Sequence, residues 1–361
     1  MDTALKQTPL YNAHVAAKAR IVDFAGWAMP VLYTGILEES RAVRSAIGIF
    51  DISHMGRVRV SGSGATALLQ SLTSNDVTAL QSSQAQYSLL TNPQGGIIDD
   101  IIVYREAEEA YLVVINASNT DKDLDWIRAH TPAGVAIDNR TAATAMIAVQ
   151  GPNAPQTVAE LAQNPALLAL NRFQYATGTF SGASATFCRT GYTGEDGFEV
   201  IVPAEAAEAV WNALLAAGAV PCGLGARDAL RIEAGYPLYG HEIDDTTSPV
   251  EAGLMWVVKL DKGEFTGRDA IRAVKERGPK RRLVGLTLQE RIVPRQGYTI
   301  FDKNTEIGVV TSGVFSPTRN HSIAMGYVAT PYAATGTQVE IGIRDKRALA
   351  TVVPKKSLLG G

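Results

Sequence analysis

The sequence contains few of the residues that build metal sites and disulfide frameworks. Cysteine occurs only at Cys188 and Cys222, so no CxxC pair is present, and the five histidines are scattered without an HExxH pattern. Isolated cysteines of this kind are usually small buried apolar residues, and we predict that role for both. We expect no metal site.

Sequence signatures of several large enzyme classes are also absent. Gly62-Ser-Gly64 and Gly223-Leu-Gly225 each lack the third glycine of a dinucleotide-binding fingerprint. The sequence contains no GxxxxGK[ST] P-loop and no GxSxG nucleophile elbow. These absences argue against a Rossmann-type dinucleotide site, a P-loop NTPase and an α/β-hydrolase.

Charge and hydropathy indicate neither nucleic acid nor a membrane as a partner. The net charge is −3, whereas general nucleic-acid binders are usually strongly basic. No apolar run reaches the roughly 18 residues that span a bilayer, and the residues up to Val15 contain no apolar or Arg-rich leader. With 46% hydrophobic and 19% charged residues in 361 positions, we expect a soluble cytoplasmic protein of two or three domains.

Helix-like and strand-like patterns mix along the first part of the chain without regular βαβ alternation, which indicates an α+β fold. The segment 23–30 contains Gly26 and Pro30 and is predicted to be a loop. Helices are predicted at 37–46, 65–72, 118–128, 155–161, 204–217 and 224–233, and strands at 57–60, 97–104, 111–115, 135–138, 145–149, 187–190 and 198–202.

A charged stretch at 275–282 marks the last predicted boundary. Its composition predicts an exposed linker, and a docking patch for an acidic partner is the alternative. Short strand patterns at 283–288, 308–312, 323–327, 338–343 and 349–353 then predict a small all-β barrel. We therefore expect a body at 1–275, built from two interleaved α+β subdomains, and a C-terminal barrel domain at 282–361.

Two carboxylates interrupt the apolar run that follows Gly95-Gly96. Burying a carboxylate is costly unless a partner or a function requires it. Side chains alternate along a strand, so Asp99 and Asp100 point to opposite faces and do not form a paired acid–base dyad. The pattern leaves two interpretations open: one acid faces a pocket, or both lie at a wet hairpin mouth.

Two further charged residues stand in unusual positions. Glu199 begins the apolar run Val200–Val202, where it is either exposed at a sheet edge or contacts a ligand. Arg227 lies near the start of a predicted helix, where the positive end of the helix dipole disfavours a cation. Arg227 is therefore expected to reach a carboxylate, and a surface ion pair with Asp228 is the simplest alternative.

Read in order, these segments and several others resemble the T-protein (aminomethyltransferase) family of the glycine cleavage system. Any one of them would be a weak signal, but their joint order and spacing are specific. The supporting stretches are 8–11, 24–27, 50–55, 95–100, 149–152, 191–199, 224–228, 230–235, 248–253, 311–313 and 324–327.

The resemblance implies three domains arranged like a cloverleaf around a central hole that holds tetrahydrofolate, the co-substrate. A member of this family transfers the methylene carbon of an aminomethyl group to tetrahydrofolate. The aminomethyl group is carried on the lipoyl arm of the H-protein, which is the expected partner. Ammonia is released and the H-protein is left in its dihydrolipoyl form.

The resemblance also implies roles for individual residues. Asp100 matches the catalytic aspartate of the family, and Glu199 and Arg227 match its folate-contacting acid and arginine. A carboxylate such as Glu199 suits the amino-pyrimidine edge of a pterin, because it can accept two donors at once. An acid such as Asp100 can orient the folate nitrogen, stabilise developing positive charge and handle a proton. Positions that line the folate in some members are matched by Met55, Tyr87, Tyr104 and Tyr192.

The chain departs from the family at its end. Many members end in a stretch rich in Pro, Phe and Tyr that contributes to the folate site, whereas this chain ends Val353-Pro-Lys-Lys-Ser-Leu-Leu-Gly-Gly361. We therefore do not expect the C-terminal folate contact of those members in this chain, whereas the expected reaction is unchanged.

Two related functions are the alternatives. One is a folate-binding factor for iron–sulfur assembly, which carries a Lys-Gly-Cys-Tyr-x-Gly-Gln-Glu motif. The comparable stretch here, Lys262 to Asp269, has Glu264 in place of the reactive cysteine. The other is a folate-dependent demethylase of a small methylated substrate; the flavin-linked type needs a flavin domain for which this chain has no room.

Overall fold

The protein is described from residue 4 to residue 360 in a computed structural model. Its contacts divide the chain into two compact units that exchange segments along the sequence. These two units differ from the predicted domains at 1–275 and 282–361, and that domain division stays a prediction. The first unit holds the residues up to Leu69, Val77–Tyr87 and Ile101–Asp228, and the second holds Gln70–Asp76, Ser88–Asp100 and the chain from Ala229 onward.

Helices and strands alternate irregularly, and the predicted α+β class is confirmed. The helices are α1 Tyr11–Ala16, α2 Ile36–Ser45, α3 Ala65–Leu72, α4 Thr120–Ala129, α5 Ala154–Leu161, α6 Ala207–Ala216, α7 Leu224–Glu233 and α8 Arg268–Arg277. The strands are β1 Arg20–Phe24, β2 Trp27–Leu32, β3 Gly48–Asp51, β4 Gly56–Ser61, β5 Ala85–Thr91, β6 Ile97–Ala107, β7 Ala110–Ile115, β8 Ala136–Asn139, β9 Thr144–Gln150, β10 Tyr175–Phe180, β11 Ala183–Cys188, β12 Gly197–Pro203, β13 Val220–Pro221, β14 Arg281–Leu288, β15 Thr299–Asp302, β16 Thr305–Ser316, β17 His321–Ala329, β18 Gln338–Ile343 and β19 Lys346–Val353. None of the helices within residues 4–360 is long and apolar enough to cross a membrane.

A six-stranded sheet organises the first unit. Its order is β10-β11-β12-β9-β3-β13, antiparallel except where the short β13 runs parallel to β3. Strands β9 and β12 are buried on nearly every residue, and helices α5 and α6 bury their apolar sides in the same core. Burial of side chains such as Trp211 and Phe187 contributes about 25 cal/mol per Å² of apolar surface.

A second sheet has the order β5-β6-β7-β4-β8. The boundary between the two units falls inside β5 and β6, so Asp100 ends a segment of the second unit and Ile101 begins one of the first. Strands β5 and β6 are therefore each divided between the two units.

The segment 23–30 is a β-hairpin and not the predicted loop. Strands β1 and β2 pair with Phe24 opposite Trp27, which leaves a two-residue turn at Ala25-Gly26. Both turn residues have positive φ, 53° and 78°, as a type I′ turn requires. The prediction was wrong because Gly26 was taken as a breaker, whereas here it closes a hairpin.

The predicted C-terminal barrel is confirmed. Its strands close in the order β14-β17-β16-β15-β18-β19. The sequence predicted every strand except β15, which is only four residues long and pairs with β16 and β18. The interior is filled by aliphatic side chains such as Leu286, Ile300, Val328 and Ile341.

The charged stretch 275–282 is not the predicted linker. Lys275 and Arg277 belong to the last turn of α8, where cations complement the helix dipole. Arg281 already begins β14, so only residues 278–280 connect the two elements. The exposed cations mark solvent-facing ends of regular elements.

The C-terminal segment packs inside the second unit, to which it belongs. Leu358 is fully buried beside Ile232 and Tyr327, and Lys355 Nζ donates a 2.7 Å hydrogen bond to the carbonyl of Ala252. Gly235 permits this approach, because a Cβ there would lie 2.7 Å from the Lys355 carbonyl oxygen.

A buried ion pair joins α7 to the barrel within the second unit. Arg231 Nη1 lies 2.6 Å from Glu242 Oε2, with side-chain exposures of 1% and 0%. Thr311 donates to the other Glu242 oxygen at 2.6 Å, and Arg231 Nη2 donates to Ser312 at 2.7 Å. Burial alone would raise the pKa of Glu242, but Arg231 and these hydrogen bonds hold it below its usual value.

We expect Glu242→Gln to lower the free energy of unfolding by about 3–5 kcal/mol, because it removes the negative charge from a buried ion pair. The exposed pair Arg347–Glu340, 3.5 Å apart on the barrel, is the matched control, and Glu340→Gln should cost less than about 1 kcal/mol. Since the Glu242 pKa is depressed on folding, its contribution is present at neutral pH and is lost as the pH falls below about 4.3 through the lower folded-state value. Urea titrations of both variants test this, and equal midpoints would contradict it.

Candidate functional site

Glu199 lies inside the sheet of the first unit. It is the third residue of β12, opposite Cys188 on β11 and Ala148 on β9, so it has a strand on each side. Its side chain is only 5% exposed. The alternative of an exposed sheet edge is therefore wrong, and the carboxylate is held in a buried, central position.

One side chain of the first unit donates a hydrogen bond to this carboxylate. Thr190 Oγ1 donates to Glu199 Oε2 at 2.5 Å. The Tyr104 hydroxyl lies 3.2 Å from the same Thr190 oxygen, and Tyr104 is itself 1% exposed. No residue in the described range 4–360 donates a hydrogen bond to the other oxygen, Glu199 Oε1.

Arg227 approaches the same region from α7. Its guanidinium carbon lies 4.8 Å from the centre of the Tyr192 ring, a cation–π contact. Its Nη1 is buried and has no hydrogen-bond partner among the described residues. Arg227 and Glu199 influence each other electrostatically, yet they form no direct ion pair in the described part of the chain. The predicted alternative of a surface pair with Asp228 is likewise not formed by Arg227.

Burial displaces the pKa of both charged groups. Burial raises the pKa of Glu199, and the Thr190 hydrogen bond and the Arg227 charge only partly offset that rise. Burial lowers the pKa of Arg227, against the opposing influence of Glu199 and Tyr192. Two buried groups of opposite charge that do not pair directly are costly to the fold, and such groups are typical of a binding site.

The loop that carries Tyr192 is held from below by Gln150. The Gln150 amide donates to the carbonyls of Thr190 and Phe198, at 3.1 and 3.3 Å, and its oxygen accepts from Thr193 at 2.8 Å. Gln150 is fully buried. Gly191 makes this close packing possible, because a Cβ there would lie 2.0 Å from Gln150 Oε1.

Two arginines, Arg44 and Arg189, contact residues 193–196 of this loop. Arg44 on α2 donates to the Thr193 carbonyl at 2.7 Å and pairs with Glu195 at 2.9 Å. Arg189 pairs with Asp196 through both Nε and Nη2, at 2.8 and 2.6 Å. These contacts hold the stretch at Thr193, Glu195 and Asp196.

We expect Gly191→Ala to weaken ligand binding at this site by displacing Gln150 and the loop it holds, at a cost in stability of about 1–3 kcal/mol. Gly178→Ala on β10 is the matched control, since its added Cβ would make only an ordinary 3.4 Å contact with Phe187. Thermal melts and ligand titration of both variants check this. Equal behaviour of the two would show that the Gln150 packing does not position the loop.

His54 is a buried polar residue to which the sequence analysis gave no role. It is 2% exposed, and its ring meets Phe24 edge-on at 5.5 Å. Its Nδ1 has no hydrogen-bond partner within residues 4–360. Burial lowers the pKa of His54 to about 3, and the nearby positive charges of Arg227 and Arg57 act in the same direction. His54 is therefore neutral at physiological pH.

Met55 follows His54 in a turn that Arg57 holds. Arg57 is buried and donates to the carbonyls of Ser53, at 3.0 Å, and of Met55. The Met55 side chain remains partly exposed, and so does that of Tyr87 on β5. Both residues lie in the first unit with Tyr104, Tyr192, Glu199 and Arg227.

Asp99 and Asp100 occupy successive positions of β6. Asp99 is fully buried, whereas Asp100 is partly exposed. The alternative that places both acids at a wet hairpin mouth is therefore wrong for Asp99. Asp100 belongs to the second unit, and its predicted catalytic role stays a prediction.

The residues that the sequence analysis missed are those that support the predicted ones. Thr190 and Gln150 act through hydrogen bonds to partners on neighbouring strands, which a single sequence does not reveal. His54 offered a signal, since it directly precedes Met55 in one of the motifs. No group of three or more His, Cys, Asp and Glu side chains in the described residues could hold a metal ion.

Known families match most of the chain. Residues 10–262 match the GCVT N-terminal domain, and residues 281–357 match the glycine cleavage T-protein C-terminal barrel domain. The second match coincides with the closed barrel, which extends from Arg281 to Val353.

Individual relatives agree over nearly the full length. The chain is 47% identical to an aminomethyltransferase from Desulforamulus reducens, over 97% of each sequence. It is 48% identical to one from Symbiobacterium thermophilum, over 98% of this chain and 97% of the relative. The crystal structure of the glycine cleavage system aminomethyltransferase T from Bartonella henselae matches with a TM-score of 0.92 and 36% identity, over 98% of each chain.

Proposed function

Since the chain belongs to the glycine cleavage T-protein family and is an aminomethyltransferase of the glycine cleavage system, we propose that it transfers the methylene carbon to tetrahydrofolate. The donor in this proposal is the aminomethyl group on the lipoyl arm of the H-protein. The products are ammonia, methylene-tetrahydrofolate and the dihydrolipoyl H-protein. A cytoplasmic location belongs to the same proposal.

One observation supports tetrahydrofolate as the ligand of the first unit. Glu199 is a buried acid whose Oε1 receives no hydrogen bond from the described residues, and Arg227 Nη1 is a buried donor that none of them accepts. A ligand that presents donors to the acid and an acceptor to the guanidinium satisfies both. The amino-pyrimidine edge of a pterin offers two adjacent donors to a carboxylate.

The remaining predicted contacts fit a flat aromatic ligand. Tyr192 contacts Arg227 through its ring and is partly exposed, and an aromatic ring of this kind can stack on a flat ligand. Met55 and Tyr87 are also partly exposed in the first unit. Tyr104 is buried behind Thr190, so we propose that its contribution to the folate site is indirect.

Asp100 is proposed as the catalytic residue. It is the partly exposed member of the Asp99–Asp100 pair, and it stands in the motif that matches the catalytic aspartate of the family. The folate nitrogen must attack a carbon that leaves an amine behind, so positive charge develops on the one-carbon unit. A carboxylate can stabilise that charge and take up the proton, directly or through water.

The alternative functions are not favoured. The relatives over the full length are named aminomethyltransferases and not demethylases or assembly factors. Glu264 stands where the assembly factor carries a reactive cysteine, and it is an exposed residue that pairs with Arg268.

Calorimetric titration of the purified protein with tetrahydrofolate under reducing conditions tests the ligand assignment. We expect binding in the micromolar range or tighter, and much weaker binding to an analogue that lacks the 2-amino group of the pterin. Absence of binding, or equal binding of the two compounds, would contradict the assignment of Glu199 to the pterin edge.

A further inference from the structure

We infer that Thr190 is a positioning residue, which Tyr104 orients and which in turn holds Glu199 as an ionised acceptor for the ligand. This inference rests on the proposed role of Glu199 in binding the pterin and adds the residues that prepare it. Thr190 itself does not touch the ligand.

The direction of the hydrogen bonds follows from counting protons. An ionised carboxylate can only accept, so the single hydroxyl hydrogen of Thr190 is donated to Glu199 Oε2, 2.5 Å away. Thr190 Oγ1 then has lone pairs but no further proton, and the Tyr104 hydroxyl at 3.2 Å must be the donor to it. The chain of donation runs from Tyr104 to Thr190 to Glu199.

These two hydrogen bonds distinguish the two carboxylate oxygens of Glu199. Oε2 is fixed by Thr190, whereas Oε1 receives no hydrogen bond from the described residues and remains to accept one from a ligand. Fixing one oxygen also fixes the plane of the carboxylate, so Oε1 keeps its direction when the ligand is absent. Preorganisation of this kind lowers the cost of binding.

Thr190 also matters for the charge of Glu199. Arg227 from α7 favours the ionised carboxylate, while burial disfavours it. The other titratable neighbours are Cys188 on β11 and Tyr104 on β6, and burial raises the pKa of both, so they stay neutral. Without the Thr190 hydroxyl, Arg227 alone would oppose the effect of burial.

Tyr104 is well placed for an indirect role. It is 1% exposed, and its ring meets Tyr175 edge-on at 5.8 Å between ring centres. These contacts hold the ring on the side of Thr190 and leave almost no surface for a ligand.

The test compares Thr190→Val, which keeps the shape but removes the hydroxyl, with Thr190→Ser, which retains it. Tetrahydrofolate affinity is measured from pH 6 to pH 9 for each protein, with a thermal melt to confirm folding. In Thr190→Val we expect a raised Glu199 pKa, so binding weakens at the low end and recovers as the pH rises. Each unit by which the pKa exceeds the assay pH corresponds to about a tenfold loss of affinity. Thr190→Ser should restore the profile of the unchanged protein.

A loss of affinity in Thr190→Val that is equal at every pH would overturn the inference, because that is the signature of lost packing. An unchanged profile would overturn it as well. Tyr104→Phe should shift the profile in the same direction by a smaller amount, and should add nothing in the Thr190→Val background. Additive effects would show that Tyr104 acts independently, as a direct ligand contact would.

A ligand-free measurement separates this inference from the proposed function. NMR titration of protein labelled with ¹³C at the glutamate carboxyl, with the Glu199 signal assigned by Glu199→Gln, reports the Glu199 pKa directly. A higher pKa in Thr190→Val, restored in Thr190→Ser, supports the positioning role even if tetrahydrofolate fails to bind. An unchanged Glu199 pKa contradicts it whatever the ligand.

Discussion

Replacing Asp100 by Asn is expected to lower the rate of aminomethyl transfer by about 10²- to 10⁴-fold, the usual contribution of a general acid–base residue. The amide has nearly the same size as the carboxylate, but it carries no negative charge and cannot take up a proton. The positive charge that develops on the one-carbon unit then loses its stabilising partner. Tetrahydrofolate should still bind with an affinity within a few-fold of the unchanged protein, because Asp100 is proposed to act on the reacting centre.

Two controls make the Asp100 result specific. Glu108→Gln removes an exposed acid near the end of the same β-hairpin and should leave turnover unchanged. Asp99→Asn changes the neighbouring acid on the opposite face of β6; it should lower stability but not the turnover of the folded fraction. Single-turnover kinetics with matched thermal melts measure both quantities. If Asp99→Asn and Asp100→Asn exchanged their effects, the catalytic assignment would be wrong.

Glu199→Gln is expected to weaken tetrahydrofolate binding by about 1.5–3 kcal/mol, or roughly 10- to 100-fold in Kd, because the hydrogen bond from the ligand to a charged acceptor is lost. The amide can accept at only one of its two terminal atoms, and its NH₂ opposes a donor of the ligand. Arg227→Lys should also weaken binding, since a lysine cannot reproduce the planar guanidinium that lies on Tyr192.

A tetrahydrofolate analogue without the 2-amino group completes a double cycle with Glu199→Gln. If Glu199 binds the pterin edge, the analogue should bind poorly to the unchanged protein and lose little more in the variant. Independent losses would place Glu199 away from that edge. Arg44→Gln, on the outer side of the loop 191–196, is a control that removes a supporting arginine without removing a ligand contact.

Local patterns were sufficient to predict the class of the fold and most of its elements. The apolar alternation of the five predicted C-terminal strands gave the barrel, because alternation is a direct consequence of strand geometry. The strand β15 was missed because four residues are too few to show a period. The parallel contact of β13 with β3 joins residues far apart in the sequence and leaves no local signal.

Turns and charged segments were the weaker predictions. The stretch 23–30 was predicted as a loop, but the positive φ angles of Ala25 and Gly26 turn it into a hairpin. The charges of 275–282 reflect exposure, and exposure does not exclude helix or strand. The charged composition of 275–282 correctly indicated an exposed segment. It wrongly indicated a segment without helix or strand.

The candidate site was predictable only in its charged residues. Glu199 stood out because an acid in an apolar strand needs a reason, and Arg227 because a cation at a helix start is unfavourable. Their supports are not local: Thr190 precedes Glu199 across a turn, and Gln150 contacts a loop more than 40 positions later. Such pairs are fixed by strand register, which a single sequence does not contain.

The most direct test of the account is ammonia release from the aminomethyl-lipoyl H-protein by the purified enzyme, with and without tetrahydrofolate. We expect fast release that requires tetrahydrofolate, forms methylene-tetrahydrofolate in equal amount and is lost in Asp100→Asn. Tight binding of tetrahydrofolate without release from the H-protein, together with one-carbon transfer from a small methylated amine, would contradict it.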